Sequence, residues 1–236
     1  MKYLRTVLTA ALAALFIATV APAAESRSDD YRRAGWSFGV SSRCEIPTGS
    51  GYDNPDWRAP AVRIRADRFE VYRYDSVNVA AAGIGRGVGV EFRAGYAFTE
   101  RFEVRFVLDM LSNASDSGTV GSASFGADAV YRIPVGRFDL GGYVRYGKHV
   151  MTIDGVALDS GSALRDWTFV GTLIGTGVDV RYWLTRRIAL SGAAGWSYVR
   201  FDRTRSLGNV AITREMEGAR DGSVFGISLV AVSVHF

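Results

Sequence analysis

The sequence predicts an all-β chain, closed as a transmembrane antiparallel up-and-down β-barrel of eight strands. Three observations lead to this prediction. A short apolar segment at the amino terminus has the layout of an export signal, period-two alternation recurs through the rest of the chain, and the connections alternate between short and long. Beyond the first segment, no run reaches the roughly 18 apolar residues that a spanning helix needs. A closed barrel also satisfies its backbone hydrogen bonds inside lipid.

The amino-terminal segment, residues 1–23, is predicted to be a cleaved signal peptide. Lys2 and Arg5 make a basic start, residues 7–20 form an uncharged apolar stretch, and residues 21–23 (Ala-Pro-Ala) supply the small-x-small cleavage pattern. The chain is therefore expected to be exported.

The rest of the chain is expected to divide into a periplasmic amino-terminal segment, residues 24–34, and a barrel, residues 35–236. Without the two basic residues of the signal it carries 26 basic against 24 acidic residues, so the overall charge gives no reason to expect a nucleic-acid partner. Cys44 has no second cysteine with which to form an intrachain disulfide, and we assign it no role.

The alternating segments form hairpins in which apolar residues share one face. In the first hairpin, Val88 to Phe98 and Phe102 to Met110 alternate apolar with polar or small residues on either side of a three-residue turn. Two similar hairpins follow, one strand begins at Trp36, and the last ends at Phe236. Short turns on one side and long polar loops on the other are typical of small outer-membrane barrels. The predicted turns lie at residues 99–101, 134–137 and 185–187, and the long loops at 112–121, 150–166 and 202–223.

A long first extracellular loop is predicted over about residues 43–85, and its interior leaves the strand count open. Two further strands, over 57–66 and 69–76, would make a ten-stranded barrel. That arrangement would place Arg73 on the same lipid-facing side as Phe69, at a cost of about 2–4 kcal/mol near the bilayer midplane. We therefore favour eight strands with an extracellular hairpin or extended loop.

The residue types on the two faces of the strands distinguish a membrane barrel from a soluble one. One face is wide and uniformly apolar, whereas the other carries small and ionisable residues. A soluble, lipocalin-like barrel would have to hold more than twenty large apolar side chains, and an eight-stranded interior is just wide enough for ordinary side chains. The apolar face is therefore expected to contact lipid, with an aromatic girdle beside the short turns.

The last strand carries a resemblance to a known family. Val230, Val232, Val234 and the terminal Phe236 share one face, and the segment resembles the carboxy-terminal signature of bacterial outer-membrane β-barrels. The resemblance implies a signal read by the barrel-assembly machinery. The wider pattern, from Trp36 to Phe236, looks like the small OmpA, OmpX and OmpW barrels in architecture, without a family-specific motif. It implies a location in the bacterial outer membrane, with outer-membrane lipid and lipopolysaccharide as partners.

The charges predicted to point into the barrel nearly balance. Buried charges must be paired to be tolerated, so we expect a network of ion pairs that plugs the lumen. An open pore is disfavoured because water-filled channels use about 16–18 strands. The predicted lumen network consists of Glu91, Arg93, Glu103, Arg105, Asp109, Asp128, Arg132, Asp139, Arg145, Asp179 and Arg181.

Catalysis would centre on His149, at the outer end of its strand. Asp154, Asp159 and Ser160 follow in the next loop, so a hydrolase with a His-acid-Ser site is conceivable. Neither the His-x-Ser pattern of barrel deacylases nor the Asp-x-His pair of omptin-type proteases is present around His149. We expect a solvated histidine at the rim, no catalytic site and no cofactor. Two histidines and one cysteine also provide too few ligands for a zinc site.

The sequence thus predicts a non-enzymatic protein that contributes to envelope structure or to surface interactions through its extracellular loops. A narrow channel for small or hydrophobic molecules and a surface-facing enzyme acting on lipid or peptide are the alternatives. An extracellular ligand is conceivable but unidentified. Loop arginines could contact lipopolysaccharide phosphates, and acidic neighbours weaken that interpretation. The arginines are Arg58, Arg63, Arg65, Arg203, Arg205, Arg214 and Arg220, and the acids are Asp202, Glu215, Glu217 and Asp221.

Overall fold

A computed structural model describes residues 31, 33–48, 57–65, 68–77, 84–114, 119–156, 165–207 and 211–236. The predicted signal peptide, residues 1–23, lies outside these residues, and its cleavage stays a prediction. Strands dominate the described residues, which include no helix with the length and hydropathy needed to cross a bilayer.

The described residues form ten strands in chain order. They are β1 (Gly35–Thr48), β2 (Trp57–Arg65), β3 (Arg68–Val77), β4 (Gly87–Ala97), β5 (Phe102–Asn113), β6 (Thr119–Val135), β7 (Phe138–Val156), β8 (Arg165–Trp183), β9 (Ile188–Leu207) and β10 (Ala211–His235).

Eight of these strands form one closed barrel, and every neighbouring pair is antiparallel. β1 closes the ring, because it pairs with β4 on one side, with Trp36 opposite Tyr96, and with β10 on the other, with Val40 opposite Val232. β2 and β3 form a separate two-stranded sheet. The prediction of eight strands with an additional hairpin is therefore confirmed, and the ten-stranded alternative is wrong.

The apolar residues of the alternating pattern point away from the barrel axis. Among the residues with described side chains, twenty-six large apolar ones are exposed, and Tyr146 and Val88 are each 63% exposed. Such a surface is stable in lipid and not in water. The belt comprises Trp36, Phe38, Val40, Val88, Val90, Phe92, Tyr96, Phe98, Phe102, Val104, Phe106, Met110, Phe125, Val135, Phe138, Leu140, Val144, Tyr146, Val178, Val180, Leu184, Ile188, Leu229, Val232, Val234 and Phe236.

The short turns are closed by the residue types that the sequence places there. The hydroxyl of Thr99 accepts hydrogen bonds from the backbone N–H groups of Arg101 and Phe102, at 3.2 and 3.0 Å. Thr185 makes the same two bonds in the turn between β8 and β9. In the turn between β6 and β7, Gly136 adopts a φ of 58°, the left-handed region that favours glycine.

The strands run further than the sequence predicts, mainly at the extracellular end. β7, β8, β9 and β10 contain 19, 19, 20 and 25 residues, against the roughly 9–11 that a transmembrane strand needs. The predicted loops at 112–121, 150–166 and 202–223 are therefore partly strand. The prediction failed there because a strand in water needs no apolar face, so the alternation fades while the backbone pairing continues.

Candidate functional site

The interior of the barrel is the candidate site, because it gathers the charged residues of the strands. Seven arginines and seven carboxylates point inward among the described residues, and all but the half-buried Arg93 are almost fully shielded from solvent. The arginines are Arg33, Arg43, Arg93, Arg105, Arg132, Arg145 and Arg181, and the acids are Glu45, Glu91, Glu103, Asp109, Asp128, Asp139 and Asp179. The described interior is thus electrically neutral.

Asp179 lies at the centre of these contacts. Its Oδ2 accepts a hydrogen bond from Arg105 Nη1 at 2.8 Å and a longer one from Arg93 Nη1 at 3.4 Å. Its Oδ1 accepts from Arg132 Nη2 at 2.9 Å. Asp179 has no exposed surface, so one carboxylate offsets the charge of arginines from three different strands, β4, β5 and β6.

The remaining carboxylates extend the contacts in both directions along the barrel axis. Glu103 accepts from Arg132 Nη1 and from Arg181 Nη2, the latter at 3.0 Å. Glu91 is bound by Arg93 and lies 3.5 Å from both Arg43 and Arg145. Glu91 also accepts a hydrogen bond from Ser41 at 3.1 Å.

Asp128 and Tyr143 hold two arginines in the middle of the barrel. Asp128 accepts from Arg145 Nε at 2.7 Å and from Arg105 Nε at 2.9 Å, and Arg145 also reaches Asp109 at 3.0 Å. The ring of Tyr143 lies 5.4 Å from the guanidinium of Arg105 and 5.6 Å from that of Arg145, within the range of a cation–π contact. Every member of the predicted lumen network except Asp139 is therefore joined in one connected cluster.

Asp139 belongs to a second cluster at the periplasmic mouth. It accepts hydrogen bonds from Arg33 Nε and from Trp183 Nε1, both at 2.8 Å. Arg33 also donates to the carbonyl of Gly136 at 2.5 Å, and the Trp183 ring packs 5.7 Å from Tyr31 and 4.6 Å from His235. The sequence places Arg33 in a periplasmic segment, and the structure shows that its side chain enters the barrel and covers this mouth.

Replacing Arg33 by alanine is expected to lower the free energy of unfolding by about 2–3 kcal/mol, the value of a hydrogen bond to a buried charged group. Asp139 would retain the bond from Trp183 and lose its cationic partner. Urea unfolding of the refolded protein in lipid vesicles measures the loss. Arg187→Ala, in an exposed turn, is the matched control and should change stability by less than about 0.5 kcal/mol.

The extracellular end of the interior is apolar, which the sequence analysis did not predict. Nine large side chains there are at most 6% exposed: Leu111, Val120, Met151, Ile153, Phe169, Leu173, Val199, Phe201 and Val224. They occupy inward positions in the parts of the strands that extend past the ion pairs. Their signal in the sequence is weak, since both faces of these segments mix apolar and polar residues.

His149 lies within this apolar layer, in the same row as Phe201, and not at a solvated rim, so that expectation is wrong. It is 3% exposed, its Nδ1 is hydrogen-bonded to Ser124 Oγ at 2.8 Å, and its ring packs 5.6 Å from Phe201. Ser124 is directly opposite His149 in the register of β6 and β7. Asp159 and Ser160 lie outside the described residues, as does the side chain of Asp154.

Arg43 and Glu45 are interior residues that the sequence analysis missed. Arg43 Nη2 donates to Glu45 at 3.1 Å, and Arg43 Nη1 donates to Ser228 at 3.0 Å. The predicted first loop begins at about residue 43, whereas β1 continues to Thr48. A signal was present, because Ser37, Ser41, Arg43 and Glu45 share one face, and the opposite face is apolar from Trp36 to Ile46 except at Ser42.

The described residues of the predicted assembly signal, and Cys44, lie on the outward face of the barrel near the β1–β10 seam. Val232, Val234 and Phe236 are exposed, whereas the side chain of Val230 lies outside the described set. Cys44 is half-buried, unpaired and in the outward register of β1. The described ranges contain no group of three or more His, Cys, Asp or Glu arranged to hold a metal ion.

Comparison with known proteins supports the fold and gives no closer assignment. No protein-family model and no curated protein matches the sequence. The structure is similar to Neisserial surface protein A, with a TM-score of 0.50 and 14% identity over 84% of this chain and 97% of that chain. It is also similar to the outer membrane protein OprG from Pseudomonas aeruginosa, with a TM-score of 0.47 and 10% identity over 88% and 98% of the two chains.

A third similar structure is Ail, the attachment invasion locus protein of Yersinia pestis. Its TM-score is 0.41, with 11% identity over 84% of this chain and 99% of that chain. At these identities the likeness shows the fold alone. The chain has the architecture of the small bacterial outer-membrane β-barrels, as the sequence predicts. The predicted location in the bacterial outer membrane agrees with this architecture and with the apolar outer surface of the barrel.

Proposed function

We propose that this protein is a closed, non-conducting outer-membrane barrel that contributes to the envelope and acts through its extracellular surface. The observation that carries the proposal is the charge balance of the described interior, where seven arginines and seven carboxylates are nearly all buried and paired with one another. A selective channel would instead favour an unpaired ring of one sign.

Both mouths of the barrel add to this argument. Arg33, Trp183 and Tyr31 fill the periplasmic mouth, and the apolar layer around Phe169 and Phe201 fills the extracellular end. An ion crossing the barrel would have to displace the residues of the periplasmic mouth, the ion pairs in the middle and the apolar layer at the extracellular end. The ion pairs are costly to separate because they are buried.

The same geometry argues against a hydrolase at His149. A nucleophile must contact its substrate, and both Ser124 and His149 are only 3% exposed within the apolar layer. The Ser124 hydroxyl also bonds to Nδ1 of the histidine, so the pair satisfies two buried polar groups without a third orienting acid in contact among the described residues. The proposed function is therefore non-enzymatic.

The carboxy-terminal strand supplies the assembly signal in this proposal. Val232, Val234 and Phe236 present apolar side chains outward beside the β1–β10 seam, where the barrel closes last if strands pair in chain order. The barrel-assembly machinery is the proposed partner.

Conductance of the mature protein in a planar lipid bilayer tests the proposal. The unmodified protein should be silent or show rare, brief openings. Arg105→Ala should leak, because Arg105 bridges Asp128 and Asp179 and its removal leaves carboxylates around a cavity that water and cations can enter. Arg101→Ala, in an exposed turn, is the control and should stay silent. Steady openings of the unmodified protein would contradict the closed barrel and favour a narrow channel.

A further inference from the structure

The extracellular hairpin of β2 and β3 has a strand edge with which no other described strand pairs. β2 lies beside β10, whereas β3 (Arg68–Val77) pairs with β2 alone in the described parts of the chain. An isolated two-stranded hairpin is marginally stable in water, and an unpaired edge leaves backbone N–H and C=O groups available to another strand. The outer edge of β3 is therefore suited to a partner strand.

A bulge places the charged residues of β3 on one face. Val71 is opposite Val62 and Arg73 is opposite Ala61, so Tyr72 is an extra residue on β3. The extra residue shifts the alternation by one position, so positions 68 and 70 share a face with positions 73 and 75. The residues at these four positions are Arg68, Glu70, Arg73 and Asp75. The edge thus carries cation, acid, cation and acid in order along one face.

The charges of β3 are only partly balanced within the hairpin. Arg68 is opposite Arg65 on β2, and like charges directly opposite each other destabilise a sheet. Asp75 is opposite Ala59, so the register gives it no cation across the pair. A partner strand that placed an acid beside Arg68 and a cation beside Asp75 would complement this edge.

We propose that this partner is β3 of a second copy, which pairs antiparallel about a two-fold axis between positions 71 and 72. In that register the opposed residues are Arg68 and Asp75, Glu70 and Arg73, and Phe69 and Tyr74. Each pairing occurs twice by symmetry, so every charge on the face described above is opposite a charge of the other sign. Cross-strand pairs of opposite charge and of aromatic residues stabilise antiparallel sheets. The bulges of the two copies lie at the axis, so each strand gains one residue and the register is kept on both sides.

Other registers and larger assemblies are disfavoured. A shift of two residues places Glu70 opposite Asp75 in one direction and Arg68 opposite Arg73 in the other, so like charges meet. The outer strand on each side of the four-stranded sheet is β2, which lies beside β10 and carries Pro60, a residue without a backbone N–H. The association therefore closes as a dimer. It deepens the proposed function, because it names a second copy as the partner of the extracellular surface.

Sedimentation equilibrium of the refolded mature chain in density-matched detergent tests the proposal. The unmodified protein should show a monomer–dimer equilibrium. Arg68→Asp and Asp75→Arg should each associate roughly tenfold more weakly, because two symmetry-related pairs change from attraction to repulsion. Neither change puts like charges opposite each other within the hairpin, since position 68 is opposite Arg65 and position 75 is opposite Ala59. Arg58→Asp, which makes the same charge change on β2, is the matched control and should associate like the unmodified protein.

A mixture of the two variants distinguishes this register from a general effect of charge. Arg68→Asp mixed with Asp75→Arg should form a heterodimer about as tightly as the unmodified protein associates, because both pairings of positions 68 and 75 again join opposite charges. A monomeric unmodified protein, a dimer that persists in both variants, or a mixture that stays monomeric would each overturn the proposal.

A heat-shift gel verifies that each variant is folded. Asp75→Asn, which removes the attraction without adding repulsion, replaces a variant that fails this check and should weaken association about threefold. The conductance measurement of the closed barrel does not depend on this strand edge, so the two proposals can fail separately.

Discussion

Asp179→Ala is expected to reduce the free energy of unfolding by about 5 kcal/mol, the upper part of the range for breaking a buried ion pair. Asp179 has no exposed surface and accepts hydrogen bonds from Arg93, Arg105 and Arg132. Removing it leaves Arg93 with Glu91, Arg105 with Asp128 and Arg132 with Glu103, so the interior gains one net positive charge. Urea unfolding in lipid vesicles, followed by tryptophan fluorescence, measures the change.

Two further variants test whether the loss of stability comes from breaking buried ion pairs. Asp221→Ala removes the same carboxylate from an exposed position and should cost less than about 0.5 kcal/mol. Asp179→Ala combined with Arg132→Ala should cost less than the sum of the single changes, because the double variant restores neutrality. Additive costs would contradict the view that the pair acts as a unit.

Gly177→Ala is expected to destabilise the barrel by about 3 kcal/mol through overpacking. Tyr143 on β7 lies over Gly177 on β8 and Gly195 on β9, which follow one another in the register. A Cβ at Gly177 would come within 2.6 Å of Tyr143 Cζ and closer still to the carbonyl oxygen of Ala194. The backbone oxygen cannot move away without breaking the sheet, so the clash is costly.

Gly142→Ala is the matched control for this substitution. A Cβ at Gly142 would approach no atom closer than the carbonyl oxygen of Gly177, at 3.9 Å. The same chemical change should therefore be neutral or slightly stabilising, since alanine lowers the entropy of the unfolded chain. Thermal unfolding of the two variants measures the difference. Equal melting temperatures for Gly177→Ala and Gly142→Ala would contradict the view that Tyr143 requires a glycine at position 177.

The strand count, the faces of the strands and much of the interior network could be predicted from the sequence. A residue such as Arg105 alternates with Val104 and Phe106, and lipid forces the apolar residues outward. Because alternate residues of a strand point to opposite faces, each charged residue between two apolar ones is assigned to the inside. The same reasoning identified Glu91, Asp179 and Arg132 without any knowledge of their contacts.

The residues that fill the two ends of the barrel interior could not be predicted from this alternation. Arg33 precedes β1, so no alternation assigns it to a face, and its partner Asp139 is 106 residues away. Phe169 and Phe201 belong to strand segments above the lipid, where the outward face no longer has to be apolar. The alternation of apolar and polar residues therefore no longer shows which face is inside. Which charges pair with which also depends on barrel geometry, because Asp179 on β8 meets Arg93 on β4 across the lumen.

The belt of 26 exposed apolar side chains has a consequence for the route of this protein to its membrane. A finished barrel in water would expose the whole belt and would aggregate with other copies through it. We therefore expect the strands to close only as the chain enters the bilayer. Acquisition of the fold and entry into the bilayer are then a single event, and the thickness of the lipid contributes to the stability of the native state as directly as any residue of the chain.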